Sequence, residues 1–347
     1  MTRFRSLLVT GGAGFIGSCF VRETLARDPD TTVTVLDKLT YAGNRANLAP
    51  VDRDPDLARR LTFVHGDIAD ASTVTRLVAS TDAVVNFAAE THVDRSILEP
   101  EAFLRSNVLG VHVLLEACRG ARARFLQVST DEVYGSIDHG RSSEDDPIRP
   151  NSPYSAAKAS AELFALSYHR TYGLDVVITR GANTYGPFHH PEKFIPLFIT
   201  NAIDDQPLPL YGDGLQRRDW LHVRDHAAAI AHVLEHGPSG QAYNVPGNAE
   251  RSNREVAARV LELLGKPWSL VRHVADRPAH DRRYALDGAK LAALGFRHAS
   301  SFDDGLIATV AWYRANEGWW RATRSGDWAE YYARQYGARL AASPAPA

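Results

Sequence analysis

This sequence of 347 residues has only two cysteines, Cys19 and Cys118, and both lie within apolar segments that are typical of helices. Neither belongs to a C-x-x-C pattern, and neither has a histidine beside it. We therefore expect two small buried thiols and no metal site.

Long hydrophobic runs are also missing. The first apolar run, residues 7–9, is far too short for the core of a signal peptide and leads directly into a glycine-rich turn. No stretch approaches the roughly 18 uninterrupted apolar residues that a membrane span requires. Together with the low cysteine content, this predicts a protein of the reducing cytoplasm that has no membrane partner.

The chain has no excess of charge of one sign. Its formal net charge is -2 and its isoelectric point is near 6.7. It therefore lacks the excess of positive charge that binding the phosphate backbone of a nucleic acid requires, and we expect no nucleic-acid partner. With 44% hydrophobic and 23% charged residues, the chain is long enough to bury a sizeable core in one large domain or two smaller ones.

Short apolar runs that end in turn residues alternate with longer helical patterns in the first half of the chain. This order predicts βαβ units in a doubly wound parallel sheet, the α/β architecture of the Rossmann fold. The predicted strands are 6–10, 32–37, 62–65, 83–87, 124–129 and 176–180, and the clearest predicted helices are 16–27, 103–118 and 153–172.

Proline and glycine become frequent after residue 180, which indicates a smaller mixed α/β lobe. We predict that the first domain comprises residues 1–182 and that the helical stretch within 216–237 returns to it. Residues 183–215 and 238–335 are assigned to the second lobe, and the tail 336–347 is expected to fray.

Residues 10–17 read TGGAGFIG between a predicted strand and a predicted helix, the context required by the dinucleotide-binding fingerprint. Glycines at Gly11, Gly14 and Gly17 permit a tight turn and a close backbone approach to a pyrophosphate, and the helix N-terminus supplies partial positive charge. Phe15 and Ile16 open that helix. The alternative, a glycine turn needed only for strand–helix packing, is disfavoured by Asp37 downstream.

Asp37 ends the second predicted strand, where its carboxylate can accept both ribose hydroxyls and would repel a 2′-phosphate. This favours NAD over NADP, although Lys38 beside it would soften the repulsion. Asp67 and Ile68 follow the third strand and are predicted to lie beside the adenine. An aspartate at a strand end also serves often as a helix cap, so both interpretations of Asp67 stay open.

Tyr154 and Lys158 are four residues apart on one face of a predicted helix. An ammonium near a phenol favours the phenolate, so we expect the lysine to lower the tyrosine pKa and to create a general base for an alcohol. Alone, the Y-x-x-x-K spacing is weak, because helices produce it by chance.

The segment 129–135, STDEVYG, begins where a strand ends, which is where ligands bind in such sheets. Thr130 can hydrogen-bond the hydroxyl that Tyr154 deprotonates. Asp131 and Glu132 supply two carboxyl groups that can act as acid and base if their environments separate their pKa values. The alternative is that Asp131 caps a helix and Glu132 is solvated.

These motifs resemble those of the dTDP-glucose 4,6-dehydratase family within the extended short-chain dehydrogenases/reductases. The resemblance covers nearly the whole chain to about residue 320. It is carried by the segments 10–17, 39–44, 88–96, 129–135, 185–187, 191–193, 208–214, 218–220 and 277–284. Related epimerases and decarboxylases usually lack the Asp-Glu pair after the threonine.

The resemblance implies an internal redox cycle on a nucleotide sugar. Tyr154 takes the O4 proton while a hydride passes from C4 to NAD, Glu132 removes the C5 proton, and Asp131 protonates the departing C6 hydroxyl. The hydride returns to C6, which gives dTDP-4-keto-6-deoxyglucose and water. A homodimer is implied as well, and helices 103–118 and 153–172 are the candidate interface.

Binding residues are also implied by the resemblance. The further cofactor residues are Leu39, Thr40, Phe87, Ala88, Ala89, Glu90, Ser106 and Ser129, together with the dyad Tyr154 and Lys158. The substrate residues are Thr91, Thr130, Asn183, Glu192, Lys193, Pro209, Tyr211, Arg218, Asn253, Arg277 and His280. Thr91, Thr184 and Ala279 depart from the usual family residues at their positions.

The sequence leaves two alternatives to a dehydratase open. One is another NAD-dependent enzyme of the same fold, a nucleotide-sugar epimerase or decarboxylase, against which the Asp131–Glu132 pair argues. The other is a catalytically silent NAD-binding protein, which the intact set of Thr130, Tyr154 and Lys158 disfavours.

Overall fold

The computed structural model describes residues 4–276 and 281–343. The strands are β1 Ser6–Thr10, β2 Thr32–Asp37, β3 Leu61–His65, β4 Ala83–Asn86, β5 Arg124–Thr130, β6 Val176–Gly181, β7 Asn183–Tyr185, β8 Leu208–Tyr211, β9 Arg217–His222, β10 Gln241–Val245, β11 Glu250–Ser252 and β12 Val271–Val274. The predicted parallel sheet is confirmed, and each of its six predicted strands lies within one residue of the observed bounds at either end.

Helices cover both faces of this sheet and build most of the second lobe. They are α1 Phe15–Arg27, α2 Ala49–Asp52, α3 Pro55–Ala58, α4 Ala71–Val78, α5 Val93–Leu98, α6 Pro100–Phe103, α7 Gly110–Ala121, α8 Pro153–Tyr172, α9 Phe194–Ile203, α10 Val223–His236, α11 Asn253–Leu264, α12 Ala289–Ala293, α13 Phe302–Ala315, α14 Glu317–Thr323 and α15 Asp327–Ala341. In the part of the chain that the structure describes, no helix is long and apolar enough to cross a membrane.

The first domain is built on a seven-stranded parallel sheet in the order β3-β2-β1-β4-β5-β6-β10. The order reverses between β1 and β4, so a crevice opens at the carboxyl ends of these two strands. Strand β5 is buried along its full length, as expected for a strand covered on both faces. Both cysteines are buried, as predicted.

Strand β10 belongs to the first domain, which corrects the predicted boundary between the two lobes. Residues 238–335 were assigned to the second lobe, but β10 pairs in parallel with β6 at the edge of the first sheet. Helix α10 packs against α1 on one face of that sheet, and its Ile230 and Val233 belong to the same core cluster as Phe20 and Leu25. The chain therefore returns to the first domain for a helix and a strand.

The second lobe has its own core between α9, α11, α13 and a three-stranded sheet of β7, β9 and β11. Its C-terminal helix, α15, corrects the prediction of a frayed tail from residue 336. Tyr336 is buried against Tyr211 and Tyr332, and this aromatic packing keeps the helix ordered as far as residue 341.

The predicted helix 103–118 contains a π-helical turn, Leu104–Leu109, between α6 and α7. Asn107 in this turn accepts a hydrogen bond from the backbone N–H of Glu90 at 2.9 Å and donates one to the carbonyl of Glu90 at 3.0 Å. Such turns often occur at functional sites. Here the turn fastens the loop after β4 and brings Ser106 to the crevice.

Candidate active site

The glycine-rich loop between β1 and α1 forms the floor of the crevice. Gly11 has φ +69°, and a Cβ atom there would lie 2.5 Å from the backbone nitrogen of Ala88. Glycine is therefore required by both conformation and space at this position. The loop leads into the N-terminus of α1, whose unpaired N–H groups and dipole favour an anion such as a pyrophosphate.

Asp37 lies at the end of β2 and holds this loop in place. One of its carboxylate oxygens accepts a hydrogen bond from the backbone N–H of Ala13 and the other from that of Leu39, each at 2.8 Å. Burial raises the pKa of Asp37, and the two backbone hydrogen bonds oppose that shift. Lys38 forms an ion pair with Asp67 at 2.9 Å, so its ammonium is paired with a carboxylate other than that of Asp37.

The crevice continues into one cavity that contains most of the predicted site. Its lining includes the predicted cofactor residues Gly11, Gly14, Phe15, Ile16, Gly17, Asp37, Lys38, Thr40, Asp67, Ile68, Phe87, Ala88, Ala89, Glu90, Ser106 and Ser129. Leu39 lies outside the lining, because its side chain is turned outward and is 36% exposed.

Both halves of the predicted catalytic set line the same cavity. Thr130, Asp131 and Glu132 stand at the carboxyl end of β5, in a 3₁₀ turn, Asp131–Tyr134, whose N-cap is Thr130. The Thr130 hydroxyl donates to Oδ1 of Asp131 at 3.1 Å and accepts from the backbone N–H of Glu132 at 3.3 Å. Tyr154 and Lys158 line the cavity from the first turns of α8, which begins at a capping box formed by Ser152.

The pKa of the Asp131 carboxyl group is strongly raised. Burial raises its pKa to about 8, and the negative charge of Glu132 adds to the increase. Its Oδ2 atom has no hydrogen-bond partner among the residues that the structure describes. Near pH 7 this carboxyl group is therefore mostly protonated and can donate a proton.

The expected effect of Lys158 on Tyr154 is not found. Burial raises the pKa of the Tyr154 phenol, the charges of Glu132 and Asp131 raise it further, and only a hydrogen bond with Thr130 lowers it. Burial also lowers the pKa of Lys158 to about 8, opposed by the charge of Glu162. The Lys158 ammonium donates to the carbonyl of Val128 at 2.6 Å. At Tyr154, the effect of burial on the pKa therefore outweighs the attraction that the helical spacing predicts.

Several predicted substrate residues also belong to this cavity or its surroundings. Thr91, Asn183 and Lys193 line it, and Lys193 donates to the carbonyl of Thr91 at 3.0 Å. The amide oxygen of Asn183 is buried and has no hydrogen-bond partner in the described part of the chain. Glu192, behind this wall, is fully buried and forms an ion pair with Arg95 at 3.3 Å.

Four further predicted substrate residues, which the structure describes, do not line the cavity. Pro209 and Tyr211 are in β8, and the Tyr211 hydroxyl donates to Asp94 at 3.2 Å. Arg218 is buried in β9, where it donates to the carbonyl of Asp281 at 2.9 Å, and Asn253 opens α11. The two other predicted substrate residues, Arg277 and His280, lie outside the described residues.

Sequence reasoning missed a group of residues that complete the cavity. They are Leu36, Ala42, Gly43, Gly66, Val128, Gly181, Ala182, Thr184, His189, His190 and His226. His189 stacks on Phe15 with ring centroids 4.1 Å apart, which joins the second half of the chain to the start of α1. The His-His pair after a Gly-Pro turn carries no local signal for this position, because only the tertiary fold brings it to the crevice.

The chain matches the family model described as GDP-mannose 4,6 dehydratase over residues 8–309. It is 54% identical to a dTDP-glucose 4,6-dehydratase from Streptomyces niveus over 327 residues, which cover 92% of this chain and 96% of the relative. A crystal structure of a dTDP-glucose 4,6-dehydratase from Streptomyces venezuelae with NAD bound is 56% identical, with a TM-score of 0.89, and the match covers 92% of this chain and 99% of that one. A UDP-glucose 4-epimerase from Thermus thermophilus in complex with NAD is 34% identical, with a TM-score of 0.82 and coverage of 90% and 99%.

Proposed function

Because this chain belongs to the dTDP-glucose 4,6-dehydratase family, we propose that it is an NAD-dependent hydro-lyase that converts dTDP-glucose to dTDP-4-keto-6-deoxyglucose and water. One observation carries the proposal within this fold. The buried, proton-holding carboxyl of Asp131 stands with Glu132 in the same cavity as Tyr154 and Lys158. Plain alcohol oxidation would use only the dyad.

The cavity fits NAD. Gly11 and Gly17 let the loop pack closely on neighbouring backbone, so that the N-terminus of α1 lies at the cavity and favours a pyrophosphate, and Asp37 in the same lining is suited to bind ribose hydroxyls. When bound, NAD accepts a hydride from the sugar C4 atom and returns it to C6. Ser106 and Lys158 lie farther along the same cavity wall.

The side chains of this chain then move the protons. Tyr154 takes the proton of the C4 hydroxyl, assisted by the Thr130 hydroxyl, while the C4 hydrogen leaves as hydride. The resulting ketone makes the C5 proton acidic, and Glu132 removes it. Asp131 donates its proton to the C6 hydroxyl, which leaves as water, and Glu132 returns the proton to C5 when C6 is reduced. The raised pKa of Asp131 supports the role of acid.

The raised pKa of Tyr154 requires help for the first proton transfer. A cationic nicotinamide ring would bring a positive charge into the same cavity. An opposite charge favours the phenolate, so it would counter the effect of burial on the Tyr154 pKa.

We assign sugar recognition to Thr91, Asn183 and Lys193, with Glu192 behind them, because the first three line the same cavity as Tyr154. The unpaired amide oxygen of Asn183 can accept a hydrogen bond from a substrate hydroxyl. Nucleotide recognition is assigned to Pro209, Tyr211, Arg218 and Asn253, together with Arg277 and His280.

We further propose that the protein acts in the cytoplasm as a homodimer. Large apolar side chains are exposed on adjacent helical segments that include the π-helical turn and α8, namely Ile97, Leu98, Leu104, Leu109, Leu163 and Phe164. An exposed apolar patch of this kind supports an interface between two copies. Sedimentation of Leu163→Glu against the wild-type protein tests it, and a monomeric wild-type protein would contradict it.

The proposed activity is tested by incubating the purified protein with dTDP-glucose and following the nucleotide sugars by mass spectrometry and NMR. We expect loss of one water per sugar without net formation of NADH. An unchanged mass with an inverted C4 centre would instead indicate an epimerase. Bound NAD without any turnover would indicate a silent binding protein.

A further inference from the structure

A buried ion pair lies beneath the active site and has no part in the proton transfers described above. The guanidinium of Arg180 in β6 contacts the carboxylate of Glu162 in α8 through two nitrogens, at 2.8 and 2.9 Å. The two side chains are 4% and 0% exposed, and neither lines the cavity. Burying two charges costs free energy that a hydrophobic pair would not cost, so stability alone does not explain this pair.

Glu162 connects the ion pair to Lys158 and to Ser129, which both line the cavity. It lies one turn beyond Lys158 on the same helix, and its negative charge raises the pKa of that lysine against the effect of burial. Its second carboxylate oxygen accepts a hydrogen bond from the hydroxyl of Ser129, the residue before Thr130. One end of the pair is thus fixed to the helix that carries Tyr154.

Arg180 connects the pair to the turn that carries the acid and the base. Its Nη1 donates to the hydroxyl of Tyr134 at 2.5 Å, and Tyr134 is the last residue of the turn Asp131–Tyr134. The same nitrogen also donates to the carbonyl of Glu144 at 3.2 Å, and the guanidinium lies 4.9 Å from the centre of the Tyr134 ring.

The Tyr134 hydroxyl has a defined direction. It accepts from Arg180 and donates to the side-chain oxygen of Asn244 in β10 at 2.8 Å. Burial raises its pKa to about 12, so the hydroxyl stays protonated and keeps both bonds throughout the neutral range. Because the ring is also buried, the turn is held at its C-terminal end by one side chain.

We propose that Arg180 and Tyr134 are positioning residues for the elimination step, in which they fix the turn with Asp131 and Glu132 relative to the helix that carries Tyr154. This inference rests on the proposed function, since it concerns one step of that reaction. C4 oxidation depends on α8 and on Thr130, which belongs to strand β5, whereas water loss depends on Asp131 and Glu132 within the turn. Loosening the turn should therefore slow the second step selectively.

Tyr134→Phe is the main test, because it keeps the buried ring and removes only the hydroxyl. We expect C4 oxidation to stay within about twofold of the wild-type rate and the loss of water to slow by about tenfold or more. Arg180→Lys is the second variant. It keeps a positive charge opposite Glu162 but lacks the planar fork that reaches both Glu162 and Tyr134, so the same pattern is expected.

The measurement is rapid quenching of single turnovers with dTDP-glucose, followed by mass spectrometry. The expected result is accumulation of the 4-keto sugar, which lacks two hydrogens and still retains its C6 oxygen, in both variants and not in the wild-type enzyme. Tyr332→Phe is the control, since it removes a hydroxyl that accepts a hydrogen bond from Asn201 in the second lobe. Thermal unfolding of all proteins separates loss of stability from loss of one step.

A purely structural network would slow both steps equally or would lower only the melting temperature. Either result, or the absence of the 4-keto sugar from both variants, overturns the inference. If the wild-type protein itself releases no water from dTDP-glucose, the proposed function fails instead. The wild-type reaction therefore tells the two failures apart.

Discussion

Replacing Asp131 by asparagine tests the assignment of the acid, because the structure gives this carboxyl group an unusual proton affinity. Its pKa rises from an ordinary value of 3.8 to about 8 through burial and the charge of Glu132. The folded protein therefore holds a proton near pH 7 that the unfolded chain has released. Raising the pH from 4 towards 8 must destabilise the wild-type fold through this group.

The magnitude follows from the shift. Each pH unit between the two pKa values costs the folded state about 1.4 kcal/mol, so the contribution of Asp131 changes by about 3 kcal/mol between pH 5 and pH 7. Asparagine has a similar shape and no proton to lose. We expect Asp131→Asn to gain stability relative to the wild-type protein by about this amount over the same pH interval.

Urea unfolding at pH 5, 6 and 7, at one fixed NAD concentration, measures this difference. The other titrating groups are common to both proteins, so the difference isolates Asp131. Asp138→Asn, an exposed aspartate, is the matched control and should show no such trend. A difference between wild-type and Asp131→Asn that does not change with pH would refute the raised pKa. The same variant should slow water loss by about 10²-fold or more, because an amide cannot act as the acid.

Three further variants test other parts of the site. Glu132→Gln should form the 4-keto sugar but lose C5 proton exchange by about 10²-fold or more, measured by deuterium incorporation from solvent, and wild-type exchange would contradict its role as base. Tyr154→Phe should slow C4 oxidation itself by at least about 10²-fold, followed as single-turnover formation of the 4-keto sugar, and normal oxidation would remove Tyr154 from the mechanism. Gly11→Ala should lower the melting temperature and the NAD content of the purified protein, since its Cβ would meet the backbone of Ala88, whereas Gly120→Ala, with open space around it inside α7, should lower neither.

The fold of the first domain could be predicted because its strands and helices carry strong local signals. The strands of the central sheet are short apolar runs bounded by turn residues, and α8 starts at Ser152–Pro153 and ends at Gly173, a C-cap with φ +68°. The positions of the glycine-rich loop and of the two catalytic segments could be predicted for the same reason, because each segment follows a strand or opens a helix.

Other features depend on contacts between distant residues, and local patterns do not contain them. Strand β10 follows a Gly-rich break and resembles any short strand, so only pairing with β6 assigns it to the first sheet. Helix α15 is weakly amphipathic, and its order comes from aromatic packing around Tyr336. The pKa of Tyr154 depends on the depth of burial, which the spacing to Lys158 does not reveal.

The return of the chain to the first sheet limits how the protein can be divided. Since α10 and β10 follow β7, β8 and β9 in sequence but pack on the first domain, a fragment that ends near residue 182 lacks the helix that covers α1 and the last strand of the sheet. It also lacks Asn244, which anchors Tyr134 from β10. The first half of the chain alone therefore lacks part of the core of its own domain, although the second lobe has a separate core, so we expect the first domain to need the later segments for its stability.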